Sequence, residues 1–283
     1  MHYFGRPDEG YIRFAHQKGM KVVVAELHSG LGSRSSQARW AQKLLKQTCQ
    51  RLMPAAFLSK LAWEAYRDAD AFIALTSWEA RLMQEMFGAN QKKIHVIPNG
   101  VEEMFFETIS EVEKKNYLVC TATITPRKQV LELAEAATAA GTSLWIIGEP
   151  YSPTDPYYLK FLGVVQQSQG LIRYEGGISD RTKLARIYRE ATGFVLLSTM
   201  ESLSLSALEA AACGCPLLLS DLPWARSAFG DSASYAPISD PVSIIKKLKA
   251  LLSGKIKHAH CAPKTWVEVA RQLDAVYRLC SPR

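Results

Sequence analysis

The chain has 283 residues, 34 basic and 27 acidic side chains, 48% apolar and 10% aromatic composition, enough for two medium globular domains. That composition excludes disorder for the bulk of it. Leu203 to Ser220, the longest weakly charged stretch, contains Glu209, Gly214 and Pro216 and fails as a membrane span, and Met1 to Asp8 lacks the basic and apolar segments of a secretory signal.

Lys21-Val22-Val23-Val24-Ala25 is a branched apolar run bounded by Gly19 and by His28-Ser29-Gly30, and it reads as a buried parallel strand. A loop with Gly30 and Gly32 follows, then helical patterns over Ser36 to Leu52 and Phe57 to Arg67, interrupted by Pro54. Ala71 to Leu75 is a second strand, Thr76 and Ser77 can cap a helix from Trp78 to Phe87, and Ile94 to Ile97 is a third strand. Pro98-Asn99-Gly100 breaks the pattern.

Beyond a charged connector from Glu102 to Asn116, strands alternate with helices. The strands are Tyr117–Ala122, Leu144–Ile147, Leu171–Tyr174, Phe194–Leu197 and Pro216–Leu219. The helices between them are Val130–Ala140, Tyr157–Gln167, Arg181–Glu190 and Leu205–Cys213. This alternation predicts a doubly wound parallel sheet, which binds nucleotides at the carboxyl ends of its strands. Helical segments Pro241–Leu252 and Lys264–Leu279 close the chain.

Cys49, Cys120, Cys213, Cys215, Cys261 and Cys280 are scattered, which suits reduced thiols and a cytoplasmic address. Cys213-Gly214-Cys215 lacks the spacing of a redox or zinc knuckle and reads as packing. His258-Ala259-His260-Cys261 has no second cluster, so a solvated loop is favoured over a metal site. No metal is expected.

The first 100 residues carry 14 basic against 8 acidic side chains, and the rest 20 against 19. Arg34, Arg39, Lys43, Lys46 and Arg51 recur at helical spacing beside Trp40, Leu44, Leu45 and Leu52. Such a stripe can meet an anionic membrane or a phosphorylated acceptor, placing the chain at the inner face of the membrane, or it is a solvated helix face. Nucleic acid is not expected, because no aromatic-interleaved basic strand or zinc-finger spacing accompanies the charge.

Two polar sets carry candidate chemistry. Ser198 to Glu209 lies between the strand ending at Leu197 and the next helix, where unpaired N–H groups near Ser204 would face an anion. Glu201 and Glu209 there can bind a sugar diol, or they are solvated helix residues. Thr121 to Gln129 follows the first strand after the connector and supplies Arg127 and Lys128 as cations for a diphosphate. The alternative is two exposed residues in a helix's first turn, a poor place for cations.

In these residues the chain resembles the retaining glycosyltransferases of family 4, from about Ala69 onward. Ile97-Pro98-Asn99-Gly100-Val101 looks like that family's interdomain signature, Pro126-Arg127-Lys128 like its phosphate-binding lysine region, and Glu201 to Glu209 like its paired-glutamate motif. Ala210 to Leu217 is similar to the continuation of small residues, glycine, proline and strand, and Trp266 to Arg278 to the closing helix. The resemblance implies an α/β fold of two Rossmann-like domains with a cleft between them (GT-B).

The implied domains are an acceptor-side domain over 1–100, a donor domain over 101–263, and a closing helix over 264–283 that crosses back. With about three strands readable before Pro98, the amino-terminal domain is expected to be incomplete. Carried over from the family, Lys128 would bind the donor diphosphate, Glu209 the ribose and Glu201 the donor sugar. Arg127, Thr123 and the amides from Ser202, Leu203, Ser204 and Leu205 would line the phosphates. Thr123 and Ala122 stand where the family usually has arginine and glycine. His28 is similar in placement to a histidine near the donor sugar, or it is a structural histidine.

The implied activity is transfer of a sugar, with retention, from a nucleotide-sugar donor to a glycan, lipid-linked or small-molecule acceptor, without metal or cofactor. The alternative is a non-catalytic nucleotide-sugar-binding or partner subunit, and a complete acceptor domain would separate the two.

Overall fold

The computed structural model describes residues 1–52, 65–107, 112–256 and 261–280. Residues 57–64 of the expected Phe57–Arg67 helix, residues 258–260 of the expected His258–Cys261 loop and the side chain of Arg51 lie outside the described residues. The chain divides into two compact units. One is Met1–Asn99 with Glu201–Leu203 and Val267–Arg283, and the other is Gly100–Met200 with Ser204–Trp266. No helix among the described residues is long and apolar enough to cross a membrane.

The first unit holds a parallel sheet of β1 (His2–Phe4), β2 (Val23–Ala25), β3 (Ala71–Ala74) and β4 (Ile94–Val96), in that spatial order. Strand β1 escapes sequence reading because three residues with an exposed Phe4 form no apolar run. The Glu9–Gln17 helix behind it also escapes. It is capped by the Asp8 carboxylate, which accepts from the Gly10 N–H at 2.8 Å, and it buries only Ile12 and Ala15.

Side chains alternate across the sheet. Val24, Phe72 and Ala74 pack on one face with Ile12, Tyr66 and Met83. Val23, Ala71 and Ile73 pack on the other with Ile97 and with Val269 and Val276 of the Trp266–Cys280 helix.

Asp70 ties this unit together at the amino end of β3. Its carboxylate accepts from the Val22 N–H at 2.9 Å and from Lys21 Nζ at 3.0 Å, and it meets His16 Nε2 at 2.9 Å. Burial pushes its pKa up, but these partners outweigh burial and hold it below the ordinary carboxylate value. Asp70→Ala is expected to cost about 1–2 kcal/mol at neutral pH, the partners being part-exposed. A depressed folded pKa stabilises above the unfolded pKa and is lost as pH falls through the folded one. The gap between wild type and variant in urea titrations should therefore narrow as pH falls from about 5 toward 2. A gap independent of pH sinks this account.

Two cations of the basic stripe on the Ser36–Leu52 helix are held against the first unit itself. Arg39 lies over the Trp78 ring at 4.7 Å, and Lys46 Nζ donates to the Met86 carbonyl at 2.6 Å. Trp40, Leu44, Leu45 and Leu52 are exposed instead. Cation–π attraction and a free carbonyl hold these two cations against the unit.

The second unit begins with β5 (Gly100–Val101), and its main sheet comprises β6 (Lys115–Thr121), β7 (Leu144–Ile147), β8 (Ile172–Tyr174), β9 (Ala191–Leu196), β10 (Leu217–Ser220) and β11 (Ser234–Ala236). Their spatial order is β11-β10-β9-β6-β7-β8, all parallel. Both faces of the central strands are buried, hence their continuous apolar runs.

Lys264 and Thr265, expected as the start of the closing helix, form β12 and pair with β5. Gly100 permits this, since a Cβ there would sit 2.7 Å from the Trp266 backbone.

Candidate functional site

In the second unit the sheet grows one way from β6 through β7 to β8, and the other way through β9 to β11. The order reverses between β6 and β9. In an open parallel sheet that reversal splays the connecting loops and leaves a crevice at the carboxyl ends. The loops that meet here are the two polar sets picked out in the sequence.

The loop after β6 is built by its neighbours. The Ala122 N–H donates to the Ile147 carbonyl, the Ile124 N–H to that of Glu149, and the Gly148 N–H to that of Gly176, each at 3.0 Å. Gly148 has φ +151°, and a Cβ there would lie 1.9 Å from the Ala122 oxygen. Only glycine fits, and its fit sets the position of Thr123. Pro126–Lys128 then makes one 3₁₀ turn, and Gln129 at φ +53° leads into the Val130–Ala140 helix. Arg127 and Lys128 thus stand ahead of that helix rather than inside its first turn.

Arg127 braces the two loops. Its Nη1 donates to the Met200 carbonyl at 2.9 Å, while its own carbonyl accepts from the Thr199 N–H at 2.9 Å and from Thr199 Oγ1 at 3.2 Å. The hydroxyls of Thr125 and Ser198, both buried on these loops, have no hydrogen-bond partner among the described residues. A buried hydroxyl without a partner is costly, and such groups mark places where a polar ligand or water completes the network.

Ser204 caps the Leu205–Ala212 helix, its Oγ accepting from the Ala207 N–H at 3.4 Å. Glu209, a turn further in, is buried and paired rather than solvated. Arg181 Nη2 donates to its Oε1 at 2.5 Å, and the Tyr188 hydroxyl to its Oε2 at 3.4 Å. Arg181 Nε also donates to Glu102 Oε2 at 2.7 Å, with the guanidinium over the Phe105 ring. Burial raises the Glu209 pKa, against the pull of Arg181. The pair leaves Glu209 a second oxygen engaged only by a long bond, which suits a carboxylate that exchanges partners.

Lys128, Arg127 and Thr123, with Ser204, Leu205 and Glu209, therefore share the carboxyl edge of one sheet. Glu201, Ser202 and Leu203 group with the first unit and are buried, and the Leu203 carbonyl accepts from Asn99 Nδ2 at 3.4 Å.

His28 also belongs to the first unit, in the loop after β2. Its backbone N–H donates to Glu79 Oε1 at 3.0 Å, and Glu79 Oε2 accepts from the Leu75 N–H at 2.9 Å. Thr76 caps the Ser77–Phe87 helix by accepting from the Glu79 N–H at 3.1 Å, so the Thr76-x-x-Glu79 spacing is a capping box whose carboxylate is diverted to His28 and Leu75. The His28 ring stacks on Phe87, with centroids 5.4 Å apart. Its pKa is lowered by burial, against the attraction of Glu26 and Glu79.

Sequence reasoning missed Arg181 and Gly148. Arg181 gave no signal, because Glu102 and Glu209 are far from it in the chain. Gly148 did give one, a glycine directly after an apolar strand.

Burial pushes the Cys213 and Cys215 thiols up to about 12, so both are protonated at neutral pH. Among the described residues no group of three or more His, Cys, Asp or Glu could hold a metal.

Two α/β units, each built on a parallel sheet and one carrying polar loops at its switch point, define a protein of the GT-B class. Residues 101–265 match the family described as Glycosyl transferases group 1 and residues 2–104 that described as Glycosyltransferase Family 4, and the chain belongs to the group 1 glycosyl transferases. It is similar to the mannosylfructose-phosphate synthase of Agrobacterium fabrum, with 28% identity over 75% of this chain and 53% of that one. It is also similar to the D-inositol 3-phosphate glycosyltransferase of Nocardiopsis dassonvillei, with 28% identity over 76% of this chain and 57% of that one. The chain spans about half the length of these relatives.

In fold it is similar to Anabaena Alr3699/HepE solved with UDP, at TM-score 0.65 and 13% identity, covering 95% of this chain and 71% of that one. The pneumococcal O-GlcNAc transferase GtfA, solved with UDP and GlcNAc, gives TM-score 0.63 and 16% identity over 96% of this chain and 55% of that one.

Proposed function

We propose that the chain transfers a sugar, with retention of configuration, from a nucleotide-sugar donor to a hydroxyl of a glycan, lipid-linked or small-molecule acceptor. The carrying observation is the switch-point edge, with a lysine on the loop after β6 and a buried glutamate within the capped helix that follows β9. Lys128 neutralises the diphosphate, with Arg127 bracing its loop and Thr123 and the Ser202 to Leu205 amides along the phosphates. Glu209 accepts from the ribose hydroxyls and Glu201 from the donor sugar. His28 serves the donor sugar from its own loop.

The anomeric C–O bond to phosphate breaks as the acceptor oxygen bonds to the same face, and the acceptor proton passes to the departing phosphate. Lys128 stabilises the charge that builds there, so no metal or cofactor is required. The exposed Trp40, Leu44, Leu45 and Leu52 support a peripheral contact with anionic membrane at its cytoplasmic face.

Calorimetry of the intact chain against nucleoside diphosphates tests the donor site, and the anomer formed on a hydroxyl acceptor, read by NMR, tests retention. Failure of every nucleoside diphosphate to bind ends this reading. Binding without transfer leaves the non-catalytic alternative.

A further inference from the structure

Beside His28 lies a polar chain, buried at Tyr66 and half-buried at Arg6 and Glu26, that the donor-site reading does not use. Glu26 directly follows β2, and Arg6 grips its carboxylate with two bonds, Nε to Oε2 at 2.9 Å and Nη2 to Oε1 at 2.8 Å. The Tyr66 hydroxyl donates to Glu26 Oε2 and stands 3.0 Å from His28 Nε2. Tyr66 stacks on Phe72 and Phe87, with centroids 5.3 and 4.4 Å away.

Proton accounting fixes each role. Burial alone would raise the Glu26 pKa, but Arg6 and Tyr66 hold it below the ordinary value, so Glu26 is a carboxylate and only accepts. Burial and Glu26 push the Tyr66 pKa well up, so the phenol keeps its single proton and gives it to Glu26. Toward His28 the phenol oxygen can therefore only accept. Nε2 at 3.0 Å must be the donor. Burial keeps the ring neutral, which leaves Nδ1 as a bare lone pair that no hydrogen bond engages among the described residues.

We propose that Arg6, Glu26 and Tyr66 form a relay that holds His28 as its Nε2–H tautomer and presents Nδ1 as a hydrogen-bond acceptor for a sugar hydroxyl. Glu26 and Tyr66 are positioning residues, acting through His28. The tautomer follows from the first unit alone, while the identity of the hydroxyl rests on the proposed sugar transfer. A wrong tautomer would offer the hydroxyl an N–H where it needs a lone pair.

The test is a two-bond proton–nitrogen NMR spectrum of the intact chain labelled with 15N-histidine, with His28→Gln identifying the His28 signals among the six histidines. The expected wild-type pattern is Nε2–H. Tyr66→Phe keeps the ring stack, removes the hydroxyl and should let both tautomers populate. Glu26→Gln should free the phenol proton to turn toward His28 and raise the Nδ1–H form, and it carries the same readout if Tyr66→Phe fails to fold.

A wild-type Nδ1–H pattern, or variants that keep the wild-type pattern, overturns the relay. In transfer assays Tyr66→Phe should lower turnover about tenfold and leave nucleoside diphosphate affinity unchanged. Unchanged turnover overturns the role of Nδ1. A chain that binds no nucleotide overturns the transfer reading instead, and the spectra still decide the tautomer.

Discussion

Gly148→Ala is expected to destabilise the second unit by about 3 kcal/mol or more, and two costs add to give that figure. The backbone at φ +151° is a region that L side chains rarely adopt, worth about 1–3 kcal/mol by itself. The new Cβ would also lie 1.9 Å from the Ala122 oxygen, and backbone has no flexible end to give way. Neither side can yield cheaply. The Ala122 N–H is bonded to Ile147 and the Gly148 N–H to Gly176, so relief on either side breaks a ladder between strands.

Whatever shifts, Thr123 moves with it, and nucleotide affinity should fall with stability. Gly163→Ala is the control, since that glycine lies in the Pro156–Gln167 helix with nothing within 4 Å of its Cβ. It should be neutral or stabilising by up to about 1 kcal/mol. Denaturant titrations of both variants decide the matter, and a Gly148→Ala loss below about 1 kcal/mol would show that the edge is softer than its geometry implies.

The parts of the fold that sequence reasoning reads are those whose burial leaves a pattern in the chain. Leu144–Ile147 and Val130–Ala140 are legible to the residue, because strands buried on both faces and helices ended by glycine mark their own limits. The missed elements lack such marks. His2–Phe4 is short and half exposed, Ser234–Ala236 is an edge strand of three residues, and β5 and β12 exist only through each other.

At the site, Lys128 and Glu201 stand out as charges in loops after strands and Glu209 as a carboxylate in the helix that follows, which are local properties. Their partners do not stand out. The Arg181 bonds to Glu102 and Glu209 and the Tyr66 bond to Glu26 span 79, 28 and 40 positions, and no local rule foretells such pairs. The two readings left open for Glu209 in the sequence, ligand or solvated face, both omit what the fold does. It buries the carboxylate and supplies a guanidinium to keep it.

Lys128 and Glu209 should fail in different ways when replaced. On the proposed roles one would bind phosphate by charge and the other ribose by hydrogen bonds, so nucleosides and nucleoside diphosphates separate them. Lys128→Ala is expected to weaken a nucleoside diphosphate by about 1.5–3 kcal/mol, roughly ten- to 150-fold, while leaving the nucleoside alone. Part of that loss should also vanish at high salt, since screening already weakens the wild-type charge contact.

Glu209→Gln should weaken both ligands by a similar factor. It keeps an acceptor for one ribose hydroxyl, removes the charge, and leaves Arg181 still held by Glu102 at 2.7 Å, so the unit should remain folded. Calorimetry with both ligand classes on both variants measures the four affinities directly. Equal losses of nucleoside and diphosphate in Lys128→Ala, or a Glu209→Gln effect confined to the diphosphate, would reverse the assignment of phosphate and ribose along this edge. Unchanged diphosphate affinity in Lys128→Ala would remove the lysine from the donor site altogether.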